Sequence, residues 1–208
     1  TTIKILESLF GRPQSKKSYP KSLYVKKRMT HYTSYRSIEE ELTILARQNK
    51  SRILQSATID NINIRGNQIE QIITEAANIH SMDDVSFMLP EGIKLYIDIK
   101  TKLLNRSSAP KAYNIDKVLE VLATGAAVVS FFFMGINPEE EEVHTRLVSI
   151  LDRIIIENTR IQFHWAGRSS RGVTQLTGSL EQIFDPHFDE HIDIDRAKSF
   201  LTGLIDRR

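Results

Sequence analysis

An aspartate and a lysine two residues apart, Asp98 and Lys100, interrupt the apolar stretch IKLYIDIKTKL at residues 93–103. Ile93, Leu95, Ile97, Ile99 and Leu103 alternate with Lys94, Tyr96, Asp98, Lys100 and Lys102, a period of two that predicts a β-strand with Asp98 and Lys100 on one face. Upstream, DVSFML and the turn Pro90-Glu91-Gly92 complete a hairpin. With a three-residue loop, 89 pairs with 93 and 87 with 95, which sets Asp84 across from Asp98. Directly opposed residues have Cβ atoms about 4.5–5.5 Å apart, and two carboxylates at that distance repel. A bound cation removes the conflict. Two converging carboxylates are a hard-oxygen site suited to Mg²⁺, whose remaining positions go to water and substrate phosphate. Lys100 projects from the same face about 7 Å along the strand, within reach of a water or phosphate oxygen on that ion. Taken alone, D-x-K also describes a solvated ion pair on any exposed strand. The upstream aspartate across a tight turn, the apolar lead-in and Thr101 directly after the lysine are what single this one out.

The elements that must position these residues follow from the patterning. Ser37 with Glu40 reads as a capping box ahead of the helix IEEELTILARQ. Gly66-Asn67 precedes a helix QIEQIITEAANIH with Ile69, Ile72, Ile73 and Ala76 on one face. After the hairpin, Pro110 is expected to start a helix running to about Thr124, and AVVSFFFM, with no polar face, reads as a central strand covered on both sides. Asn137-Pro138 followed by four glutamates reads as the N-terminus of a helix reaching about Asn158. A short strand RIQFHWA, a GRSSRG loop and closing helices around LTGSLEQIF and DRAKSFLTGLI complete the chain, and a further helix is expected at residues 2–10. This order predicts an α/β (α+β) fold: a central mixed β-sheet flanked by helices, in a single domain over 1–208.

Bulk properties narrow the function. With no cysteine, disulfides, thiolate zinc sites and cysteine nucleophiles are excluded. The longest uncharged apolar run, Val121 to Ile136, falls short of the roughly 20 residues that span a bilayer. With no signal peptide visible, a soluble, intracellular, cytoplasmic protein is expected. No P-loop, Rossmann glycine pattern or G-x-S-x-G occurs. The net charge of +2 conceals a basic arm over residues 1–36, where nine Lys/Arg stand against one Glu. Its Lys26, Lys27 and Arg28, interleaved with tyrosines, suit phosphate tracking along nucleic acid. Arg106, Lys111, Tyr113 and Asn114 follow the Asp98 strand and are candidates for phosphate contacts at the mouth of the site. In HWAGRSSRG, Trp165, Arg168 and Arg171 lie on a glycine-flanked loop, and arginine can read guanine in the major groove. DPHFDEHIDID places His187 and His191 among acids, but Pro186 argues against one helix, and an acidic solvated turn accounts for it.

Asp84 and YIDIKT, with Asp98 and Lys100, resemble the motif of the PD-(D/E)xK nucleases, most of all type II restriction endonucleases. The preceding RGNQIEQIITEA is similar to the helix before the first motif aspartate in such enzymes, where Glu70 adds another acid. The resemblance covers residues 66–136, the expected catalytic core. Position 83 is Asp where the family name has Pro, so Asp83 and Asp84 are alternative ligands, and the acid before x-Lys is Asp rather than the commoner Glu. The resemblance implies a restriction-endonuclease-like fold and Mg²⁺-dependent hydrolysis of phosphodiesters in double-stranded DNA. Asp84 and Asp98 then hold the metal, with the Ile99 carbonyl as a further ligand, and Lys100 orients or deprotonates the attacking water. A homodimer is expected, because cutting both strands of a palindrome calls for two sites related by a twofold axis. A repair nuclease or junction resolvase of the same superfamily, and a non-catalytic nucleic-acid-binding module, are the alternatives.

Overall fold

A computed structural model describes residues 35–77, 85–89, 92–106, 111–123, 125, 127–162, 173–177 and 180–206. The basic arm with Lys26, Lys27 and Arg28, the expected helix at 2–10, Asp83 and Asp84, and the loop with Trp165, Arg168 and Arg171 lie outside the described residues.

Three helices open the described chain: α1 (Tyr35–Gln48), α2 (Lys50–Ala57) and α3 (Ile62–Ala76). Helix α1 buries Ile38, Leu42 and Ala46, a four-residue spacing that forms one stripe. It already includes Tyr35 and Arg36, so Ser37 is an interior residue and not the cap that S-x-x-E suggests. Tyr35 instead ties the first turn to the sheet, its hydroxyl donating to Ser130 Oγ at 3.0 Å. Helix α3 likewise begins before Gly66. Asn61 is its cap, with Oδ1 accepting from the backbone N–H groups of Asn63 and Ile64 at 3.0 and 3.2 Å.

The hairpin forms as expected. Strand β1 (Val85–Met88) runs antiparallel to β2 (Lys94–Leu103) with Val85 opposite Ile97 and Phe87 opposite Leu95, the register that a three-residue turn dictates. Gly92 closes it at φ 75°, a left-handed conformation that glycine adopts without steric cost. Strand β2 then pairs in parallel with β4 (Ala127–Asn137), and β4 pairs antiparallel with β5 (Glu142–Ser149), giving a mixed sheet of order β1-β2-β4-β5. The fold is mixed α/β, with that sheet flanked by helices.

Two expectations are corrected between these strands. The helix expected from Pro110 does not run through residues 111–114. Residues Lys111–Asn114 form strand β3, and α4 (Ile115–Ala123) begins after it, with Asn114 Oδ1 accepting from Asp116 N–H at 2.9 Å. Nor does a helix follow Asn137. The asparagine's Oδ1 accepts from Glu139 N–H and its Nδ2 donates to Glu140, closing a turn with Glu141 at φ 51° that returns the chain as β5. Val143, Thr145 and Val148 are β-branched and suit a strand, and β4 has one open edge that β5 fills. Helix α5 (Arg153–Asn158) is correspondingly short and starts at its own cap, Asp152, which accepts from Ile154 N–H at 2.8 Å.

A second sheet, β3-β7-β6, joins β3 to β6 (Thr159–Gln162) and β7 (Val173–Leu176), with antiparallel pairing throughout. A 3₁₀ helix (Glu181–Phe184) and α6 (Ile194–Asp206) complete the described chain.

The alternation in β2 and β4 creates two cores. Leu95, Ile97, Ile99, Phe132, Met134 and Ile136 meet the buried faces of α1, α2 and α3. On the opposite face, Val129, Phe131 and Phe133 pack with residues of α4, α5 and α6, with Leu176 of β7 and with Leu180 and Ile183. Strand β4 is therefore covered on both sides, as its lack of a polar face predicts. The outer edge of β5 is closed by carboxylates: Leu147 N–H donates to Glu39 at 3.1 Å and Ser149 N–H to Glu190 at 2.6 Å. Groups paired in this way do not offer the edge for strand addition. Among the described residues no helix is long and apolar enough to cross a membrane.

Candidate active site on strand β2

The side chains of β2 divide as the sequence pattern requires. Leu95, Ile97 and Ile99 are buried against the helical layer, while Tyr96, Asp98, Lys100 and Lys102 project toward the second core. A charged row can occupy that face because β2 lies beside the rim of the core, where its polar tips retain some solvent. Asp98 and Lys100 are 22% and 17% exposed and form an ion pair, Nζ to Oδ1 at 2.7 Å. Below them lies aromatic surface. Phe131, next to Asp98 in the β2–β4 register, carries Lys100 Nζ 5.9 Å above its ring centroid. Lys94 sits similarly over Tyr96, at 4.3 Å.

Two residues further on, Lys102 pairs with Glu181 of the 3₁₀ helix. The hydrogen bond from Lys102 holds the Glu181 carboxyl below its ordinary pKa. This helix is seated by several contacts. Arg146 on β5 donates to the carbonyls of Ile183 at 3.1 Å and Asp185 at 2.9 Å, and Leu180 and Ile183 are buried. Phe184 lies over Gly135, the β4 neighbour of Lys102, where a Cβ would stand 2.7 Å from Phe184 Cε2 and 3.1 Å from Leu104 Cδ2. Gly135→Ala is therefore expected to lower stability by about 1–3 kcal/mol, the usual cost of overpacking. Urea denaturation checks this, and trimming Phe184 to Leu in the same chain should recover much of the loss. An equal loss with and without the Phe184 change would show that the ring is not what a side chain at 135 meets.

The other residues singled out by sequence are dispersed. Glu70 is half-buried on α3, whose Ile69, Ile72 and Ile73 pack on the face of β2 opposite Asp98 and Lys100. Ile99 lies between the pair in sequence with its side chain in the helical core, so its backbone carbonyl alone is a candidate donor. Tyr113 is a core residue: 7% exposed, stacked on Phe131 at 5.7 Å, with its backbone N–H and carbonyl both bonded to Thr174 Oγ1. Burial pushes its hydroxyl pKa up. Asn114 is occupied as the cap of α4, the backbone of Lys111 pairs with Gln175, and Arg106 is exposed just past the end of β2.

Sequence reading passed over three residues. Lys102 and Glu181 carry no motif. Arg65, buried in the first turns of α3, donates to the Ile59 carbonyl at 2.7 Å, and its pKa is lowered by burial and then by the like charge of Arg106. Its signal would have been an arginine interrupting an otherwise apolar helical stripe.

Among the described residues no three His, Asp or Glu side chains converge as a metal-binding group, at His187 and His191 or elsewhere. From those residues Asp98 offers one carboxylate, which is paired with Lys100. A polar cleft of about 550 Å³ between α2 and α3, lined by Arg52, Gln55, Gln71 and Glu75 among others, includes no residue of β2. In comparisons with known proteins, the chain matches no family model and no curated protein sequence.

Proposed function

We propose that the chain is a Mg²⁺-dependent endonuclease that hydrolyses DNA phosphodiesters, acting as a sequence-specific type II restriction enzyme and as a homodimer. The observation that carries the reading is the Asp98–Lys100 pair, partly exposed at 2.7 Å on one face of β2. The hairpin register and the mixed sheet flanked by helices are compatible with a restriction-endonuclease-like fold. Asp98, with Asp84 and the Ile99 carbonyl, would hold the ion, whose chemistry is to acidify a water and neutralise charge on the scissile phosphate.

Lys100 has two tasks. Its ammonium, braced by Phe131 beneath and Asp98 beside it, orients the attacking water and donates hydrogen bonds to the phosphoryl oxygen as negative charge develops there. A fixed ammonium is effective because little reorganisation is needed as the reaction proceeds. Asp98 holds that ammonium in place in addition to its role toward the metal. A plasmid digest in Mg²⁺ tests the reading. Discrete fragments support restriction. Structure-selective nicking would favour repair or junction resolution, and intact DNA with a retarded gel band would reduce the protein to a binding module.

A further inference from the structure

We infer that Lys102 is a second phosphate-binding cation on the catalytic face, taking a DNA backbone phosphate next to the one at Lys100, and that Glu181 stands in for that phosphate until DNA arrives. This rests on the nuclease reading of β2. Lys102 follows Lys100 by two residues on the same face, about 7 Å along the strand. The two lysines thus form a row parallel to a backbone track rather than a cluster around one phosphate.

The asymmetry of the pair makes Glu181 the replaceable partner. The Lys102 side chain is 11% exposed and fixed by the strand, whereas Glu181 is 44% exposed on a single turn of 3₁₀ helix. Returning the carboxylate to water costs little at that exposure, while the less exposed ammonium gains more from keeping an anionic partner. A phosphate oxygen meets the same hydrogen-bonding and charge requirements as the carboxylate. The turn bearing Glu181 is held by more than that carboxylate, because Arg146, Phe184 over Gly135, and the buried Leu180 and Ile183 also hold the helix in place. Glu181 can leave Lys102 while its backbone stays where it is.

The test is fluorescence anisotropy with a labelled double-stranded oligonucleotide in EDTA, over a series of salt concentrations. Glu181→Gln should tighten binding several-fold with the slope of log K against log salt unchanged, because Lys102 meets the phosphate in both proteins and only its competitor has gone. Lys102→Gln should weaken binding and make the slope shallower by about 0.9, the contribution of one lost phosphate contact, and Lys102→Arg should restore it. In the Lys102→Gln background, Glu181→Gln should have no further effect. An equal gain in both backgrounds would show that Glu181 acts by its charge alone and overturn the assignment, as would unchanged binding. Unfolding of Glu181→Gln, read by circular dichroism, would make the pair a structural strut and overturn it too. If the wild-type chain binds no duplex, the nuclease reading fails with it. If the wild type binds and cuts DNA while Glu181→Gln is neutral, the Lys102 assignment alone fails.

Discussion

Asp98→Asn is expected to abolish Mg²⁺-dependent cleavage while the protein stays folded and retains DNA binding. The substitution removes the carboxylate charge that would hold the metal, and metal stabilisation of transition-state charge is worth several kcal/mol. At 1.36 kcal/mol per factor of ten, that is a loss of about 100- to 1,000-fold or more in rate. Binding in EDTA should hold or rise, because a negative charge facing the phosphate has gone. Stability should fall only slightly. Asn keeps the shape of Asp and an oxygen that can accept from Lys100, so what is lost is the ionic part of one partly exposed pair, about 1 kcal/mol at most. Lys100→Ala should also stop cleavage, but with weaker DNA binding. Single-turnover cleavage, anisotropy in EDTA and urea unfolding separate these effects. Full cleavage by the Asn variant would sink the nuclease reading, and so would its unfolding, since the ion pair would then be structural.

The hairpin was readable from sequence because every local signal there agrees. Period-two alternation, a Pro-Glu-Gly turn and the left-handed glycine all specify the pairing in which Val85 faces Ile97. AVVSFFFM was readable for a related reason, since a strand with no polar face must be covered twice. The failures cluster where one local device serves two purposes. Asn61, Asn114, Asn137 and Asp152 each accept from the backbone N–H two residues on. At Asn61, Asn114 and Asp152 a helix follows. At Asn137 a strand follows, and the difference is made by β4's open edge, a long-range demand that no window around Asn137 contains. Strands β3 and β7 have four residues each, too few to show a period, and they exist through each other and through the Thr174 hydroxyl bonded to Tyr113.

Of the candidate site, only the placement of residues on β2 was legible in this way. Asp98 and Lys100 share a face because β2 alternates, and their direct contact is the ion pair that D-x-K describes on any strand, while the Asp84 side of the expected metal site lies outside the described residues. Lys102 with Glu181 and Gly135 with Phe184 join residues far apart in the chain, and only the folded sheet brings them together. Tyr113 shows the opposite error. A tyrosine beside Lys111 and Asn114 resembles a surface contact residue, yet the strand alternation of β3 turns it onto Phe131.

Phe131→Ala is expected to be the most destabilising single change in the candidate site, at about 3–5 kcal/mol. The ring is fully buried, stacks on Tyr113 at 5.7 Å and leans on Phe133 at 5.3 Å, so truncation leaves a cavity among rigid aromatic neighbours that cannot collapse into it. Set against the roughly 5–15 kcal/mol of a whole domain, this is a large share. The urea midpoint should drop accordingly, and an unchanged midpoint would show that Phe131 is not packed as described. Phe131→Leu isolates the local role. It keeps much of the apolar volume, at a cost of about 1–2 kcal/mol, but removes the π-face beneath Lys100 Nζ, worth about 0.5–1 kcal/mol to an ammonium at that distance. The folded Leu variant should bind DNA nearly as well as wild type and cut it several-fold more slowly, because its lysine is held less firmly where charge develops. Cleavage at the wild-type rate would mean that Asp98 alone positions the ammonium, and that the aromatic floor of the site serves the core rather than the chemistry.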